Sequence, residues 1–170
     1  NALKEKPAGT IRISTAEHAA RSVLWPRVLE FMRLYPDIHI EMTIDYTLSD
    51  IVAEKYDAGV RLGESVEKDM IAVSISQPLR MAVVATPAYF EQAGIPKDPR
   101  DLSKHQCINL RLPTYGRLLV WDFEKDGHDV NVRVEGQFTA NKSSFIREAV
   151  LAGVGIAYLP EDMVLNDIAE

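Results

Sequence analysis

Cysteine is almost absent from this chain: Cys107 is the single one in 170 residues. One thiol closes no internal disulfide and makes no cysteine-based zinc site, and the pattern fits a reducing compartment. Long apolar runs are missing too. None approaches the ~20 residues of a membrane span, and the polar opening Asn1–Gly9 lacks the apolar stretch of a secretory signal. Positive charge is scarce, with 19 Lys and Arg against 25 Asp and Glu and a formal net charge of −6. Phosphate backbones select basic surfaces, so any DNA contact is expected from another part of the protein. The four histidines and the scattered acids show no metal-ligand spacing. No Gly-x-Ser-x-Gly elbow accompanies Ser14 and His18, which argues against a hydrolase. A cytoplasmic location, no metal, no cofactor, no membrane contact and no enzymatic activity are expected.

What is present is ordinary globular composition, 46% hydrophobic and 26% charged. Thr10–Ser14 reads as a strand, and a helix is expected over roughly Ala16–Leu34. Leu24, Val28, Phe31 and Tyr35 form its apolar stripe, widened by Trp25, Leu29 and Met32. Pro36 ends it, because the residue before proline avoids α geometry. Ile38, Ile40, Met42 and Ile44 alternate with polar residues, which predicts a strand with one buried face. Strand, helix, strand at this spacing is a βαβ unit with parallel strands.

A short helix is expected over Asp50–Lys55, a strand over Ala58–Leu62 and an extended segment over Met70–Ser76. Met81–Ala85 reads as a strand buried on both faces. Pro87–Ala93 is a short helix closed by Gly94, and Gln106–Leu110 a strand. Leu118–Phe123 and Asp129–Val134 are strands around an Asp126-Gly127 hairpin turn. Gln137–Ala140 is extended, Asn141 caps a helix running to Ala152, and Gly153 closes it. Gly155–Leu159 is a buried strand ended by Pro160, with no further element expected before Glu170. Alternation of strands and helices argues an α/β fold in two similar lobes joined near Gln77–Arg80.

These segments, in order, resemble the effector-binding domain of LysR-type transcriptional regulators. The resemblance rests on Gly9-Thr10-Ile11-Arg12-Ile13-Ser14, Tyr35-Pro36-Asp37, Asp57-Ala58-Gly59-Val60-Arg61-Leu62-Gly63, Pro87-Ala88-Tyr89-Phe90, and Ala149 through Pro160, with Gly153-Val154-Gly155-Ile156 at its centre. It implies two Rossmann-like lobes around a cleft, of the type 2 periplasmic-binding-protein kind. Residues 1–8 are then a tag or linker remnant, 9–78 the first lobe and 79–170 the second. The closing strand and helix that return to the first lobe are expected to be missing from the chain. A small, anionic effector between the lobes is implied. So is a homodimer in which the long first helix of one subunit meets the second-lobe helix Ser143–Ala152 of the other. Promoter DNA would be reached only through an N-terminal domain not in these residues. The alternative is an extracytoplasmic solute-binding protein of a transporter.

Ligands of open α/β sheets gather at the carboxyl ends of strands, where helix N-termini favour anions. The candidates there are Ser14, Thr15 and Ala16, whose hydroxyls and amides suit a carboxylate or serve as a plain helix cap. Arg61 either pairs with an anion bidentately or braces the lobe. Asn109, Arg111, Phe138, Asn141 and Pro160 are the second-lobe candidates, with Asn141 equally readable as a cap. His105 and Cys107, two apart on one strand face, are read as a buried thiol with a nearby histidine rather than as a nucleophile pair.

Overall fold

The computed structural model describes residues 6–45, 51–61, 70–112 and 116–169. The chain divides into two compact units, Asn1–Pro78 and Leu79–Glu170.

The first unit is built on β1 (Gly9–Thr15), the middle strand of a three-stranded sheet. β2 (Ile38–Ile44) and β3 (Ala58–Val60) flank it, both parallel to it. The crossover from β1 to β2 is helical, as the period of its apolar residues predicts. It starts as α1 (Glu17–Ala19), widens into a π turn over Ala20–Leu24, and continues as α2 (Trp25–Leu34). Pro26 has no N–H to give back along the helix, and the turn before it takes the wider spacing, with the Trp25 N–H reaching the Ala20 carbonyl. Tyr35 leaves helical geometry just before Pro36 (φ −127°).

The apolar stripe buries less than its pattern suggests. Val28 is buried, whereas Trp25, Met32 and Tyr35 are exposed. Ile44, expected on the buried face of β2, is 47% exposed. The short helix expected over 50–55 is not formed. Residues 51–55 make turns, with Lys55 left-handed at φ 60°, and Asp50 lies outside the described residues. A contact distant in sequence meets this segment. Arg12 donates through Nη1 to the carbonyls of Glu54 (3.1 Å) and Lys55 (3.3 Å), and its backbone N–H donates to Asp57 Oδ2 (2.8 Å). Residues 70–76 form no strand: Ile71 is 94% and Val73 75% exposed.

In the second unit β4 (Met81–Val84) runs antiparallel to β9 (Ala157–Pro160). Among the described residues β9 is its only strand partner, so β4 is half-buried rather than covered on both faces. β5 (Asn109–Leu110) pairs with β8 (Thr139–Ala140) in parallel, and Cys107 bridges Ile156 in parallel. The hairpin is β6 (Trp121–Lys125) with β7 (His128–Val132). Leu118, expected to begin the first of these strands, only bridges Arg111. Asp126 and Gly127 take φ values of 53° and 75°, the two left-handed positions of a tight hairpin turn.

Neighbouring residues point to opposite faces of a strand, and the core divides accordingly. Cys107 and Ile156 pack with Leu102, Trp121, Val132 and Val134 on one face. Ile108 and Ala157 pack with Ile146, Val150, Leu159 and Val164 on the other. Two helices supply that second layer, α4 (Ser143–Leu151) and α5 (Glu161–Ala169). Lys142, not Asn141, is the N-cap of α4, and no side chain caps it. α5 stands where the sequence reading expects no element. α3 (Pro87–Ala93), followed by Gly94, forms where expected, with the Thr86 hydroxyl accepting from the Tyr89 N–H.

Candidate functional site

β1 ends in Ser14 and Thr15, both fully buried. Parallel pairing brings the end of β3 beside them, and Arg61 follows that strand directly. Its guanidinium donates from Nη2 to Ser14 Oγ at 2.8 Å, and from Nη1 to the carbonyls of Ser14 (3.0 Å) and Val60 (2.9 Å). Burial lowers the Arg61 pKa, while Asp45 and Tyr56 act to raise it; arginine still stays protonated. Thr15 Oγ1 donates to the Ala16 carbonyl at 3.1 Å. Ala16 is the extended N-cap of α1, with no side-chain cap bond, so neither hydroxyl is a helix cap. Ser14, Thr15, Ala16 and Arg61 therefore lie together at the carboxyl edge of one sheet.

The second unit assembles its own set. β5 and β8 run parallel, and the lead-in to β9 runs parallel to Cys107. Arg111, Asn141 and Pro160 thus share the carboxyl edge of these strands. Asn109 is buried, and its Nδ2 donates to the Val134 carbonyl at 3.2 Å. Arg111 is exposed and donates from Nη1 to the Gly116 carbonyl at 2.6 Å. Phe138 is half-buried with its ring centroid 5.7 Å from that of Phe145. Asn141 is exposed, two residues before α4, and Pro160 is the buried last residue of β9. Val60, Val134 and Gly116 enter as partners that the sequence reading omits. They act through backbone carbonyls, which carry no residue signature.

His105 and Cys107 take separate partners. The histidine Nδ1 lies 3.0 Å from Tyr89 Oη, which also accepts from the Gln106 N–H at 3.1 Å. The thiol of Cys107 donates to the Leu102 carbonyl at 3.6 Å, and burial pushes its pKa up to about 11. A thiol so protonated is a poor nucleophile. Ser14 Oγ accepts from an arginine, which cannot take up a proton as a histidine base would. Among the described residues no group of three His, Cys, Asp or Glu is placed to hold a metal ion, and no helix is long and apolar enough to cross a membrane.

Comparison with known proteins adds a family. The model of the LysR substrate binding domain matches residues 4–170. The HTH-type transcriptional regulator PgrR of Escherichia coli K12 is 46% identical over 168 residues, covering 99% of this chain and 56% of PgrR. The structure of CrgA, a LysR-type transcriptional regulator from Neisseria meningitidis, superposes with a TM-score of 0.81 at 28% identity, covering 99% of this chain and 56% of that one. The regulatory domain of AphB in Vibrio vulnificus gives a TM-score of 0.80 at 29% identity, covering 95% and 80%. The chain spans about half the length of the curated relatives it matches.

Proposed function

The chain belongs to the LysR substrate-binding domain family, it has that family's two-lobed, periplasmic-binding-protein-like α/β fold and is an effector-sensing regulatory domain, and on that premise we propose how it senses. The effector is a small carboxylate. The first unit offers it Ser14, Thr15 and Ala16, backed by Arg61, and the second unit, taken by itself, offers Asn109, Arg111, Phe138, Asn141 and Pro160. The observation that carries the reading is the family match across residues 4–170, joined to relatives named as transcriptional regulators. The solute-binding alternative finds no support among these relatives.

The whole protein works in the cytoplasm as a DNA-binding regulator, and its DNA contact lies in a domain outside these residues. The net charge of −6 supports this division of labour. It pairs with itself, the crossover helix of one subunit against α4 of the other. Exposed apolar side chains on both elements, Trp25 and Met32 on α2 and Phe145 and Leu151 on α4, suit such a contact. The effector acts by favouring one arrangement of the protein over another, by about 1–3 kcal/mol.

The test is a thermal-shift screen of small acids on the purified protein and on Ser14→Ala, with light scattering and promoter-DNA binding alongside. A binder at 100 times its Kd adds about 2.7 kcal/mol of stability, a rise of several degrees, which Ser14→Ala reduces. Dimers without DNA affinity are expected. Tight promoter binding by these 170 residues alone, or no response to any acid, counts against the reading.

A further inference from the structure

We infer that Arg61 is a positioning residue: it sets the hydrogen-bond polarity at the carboxyl end of β1 and leaves Ser14 a donor to an acceptor group of the effector. The inference rests on the carboxylate reading above and gives Arg61 a role through Ser14 rather than a direct grip on the ligand.

A serine hydroxyl has one proton to give and two lone pairs, whereas a guanidinium only donates. In the 2.8 Å contact between Arg61 Nη2 and Ser14 Oγ the serine is therefore the acceptor. The contact is not free to swivel. Nη1 of the same fork is held by the carbonyls of Ser14 and Val60 at 3.0 and 2.9 Å. Three bonds from one planar group fix the oxygen, its lone pair and hence the cone left to the hydroxyl proton. Among the described residues no acceptor receives that proton, although Ser14 is wholly buried. Donation from a cation also polarises the O–H and makes it a stronger donor.

Thr15 is wired in the opposite sense. Its proton goes to the Ala16 carbonyl, so its side chain has only lone pairs to offer. The two side chains point to opposite faces of the strand. The face carrying Ser14 thus selects a bare acceptor, a carboxylate oxygen, and disfavours an ammonium or amide N–H. A lysine at position 61 would keep the charge and lose the fork.

Wild type, S14A, R61K and S14A/R61K are compared for benzoate and succinate binding by calorimetry. Each single change is expected to weaken binding about tenfold, the worth of one charge-polarised hydrogen bond. The double variant is expected to be no weaker than the weaker single, because Arg61 acts only through Ser14. Wild-type affinity in R61K, or losses that multiply to about a hundredfold, overturns the inference. If wild type binds neither acid, the carboxylate reading falls, and the role of Arg61 is decided on the unliganded protein. R61K must then speed hydrogen exchange at the Thr15–Glu17 amides. Unchanged exchange overturns it.

Discussion

Arg147 and Asp167 face each other through two parallel bonds, Nε to Oδ2 at 2.8 Å and Nη2 to Oδ1 at 2.6 Å. The pair fastens α5 to α4, the two helices that cover one face of the second unit's sheet. Its side chains keep 36% and 19% of their exposure, so water screens part of the attraction. Bidentate geometry still lifts it above an ordinary surface pair. Asp167→Asn is expected to cost about 1–2 kcal/mol in urea unfolding, and the loss should shrink in 1 M salt. An unchanged midpoint would show that apolar packing alone holds α5.

Two glycines press on one strand. A Cβ on Gly136 would strike the Cys107 carbonyl oxygen, and one on Gly155 the Gln106 carbonyl oxygen. Both obstacles are backbone, so neither can swing away. Gly155→Ala and Gly136→Ala are each expected to lose about 3 kcal/mol or more, or to fail to fold. Gly94→Ala meets no atom and carries only the backbone cost of φ 83° with ψ 160°, a region all but reserved to glycine, about 1–3 kcal/mol. Thermal unfolding of the three variants separates the two mechanisms.

Burial holds Cys107 as a thiol, with its pKa raised to about 11. The fold prefers the neutral form, so this contribution is whole below the pKa of an unfolded cysteine, about 8.5. It is lost as pH climbs from there through about 11. Labelling by a disulfide reagent at pH 8 should be slow in the native protein and immediate in guanidinium. Between pH 8.5 and 11 the wild type should lose more stability than Cys107→Ala, measured by denaturant midpoints. Equal losses would show that the native thiol ionises as it does in the unfolded chain, as it would if water reached it.

The hairpin turn makes a sharper demand on chemistry than on volume. Gly127 sits at φ 75° with open space around it. Gly127→Ala is expected to destabilise by about 1 kcal/mol. Asp126→Asn, which tolerates a φ of 53° equally well, should change little. The readout is the Tm of the two variants, and a larger loss from Asp126→Asn would show a side-chain role for Asp126.

Local signals made much of this fold readable. The alternation of Ile38, Ile40 and Met42, the Pro87 start and Gly94 stop of α3, and Asp126-Gly127 all specify structure within a few residues. α5 was readable as well: Glu161 and Asp162 open it with the charge a helix N-terminus favours, and Val164 and Ile168 keep helical spacing. What could not be read depends on distance. Arg12 binds the carbonyls of Glu54 and Lys55 from some forty positions away. The Arg61 fork reaches Ser14 across 47 positions, and no period in the chain announces it. The candidate hydroxyls were legible as the end of a strand. Their burial, and the direction of their protons, were not.

The widened turn before Pro26 decides which way the crossover helix faces. An α-helix advances about 100° per residue, so Ala20 and Val28, eight positions apart, would sit about 80° apart on an unbroken one. Absorbing one additional residue at Ala20–Leu24 takes back about 100°, and these two buried side chains come to lie within about 20° of each other. A proline that cannot donate thus acts as a phase corrector, rotating the later turns into line with the earlier ones so that one continuous seam meets the sheet.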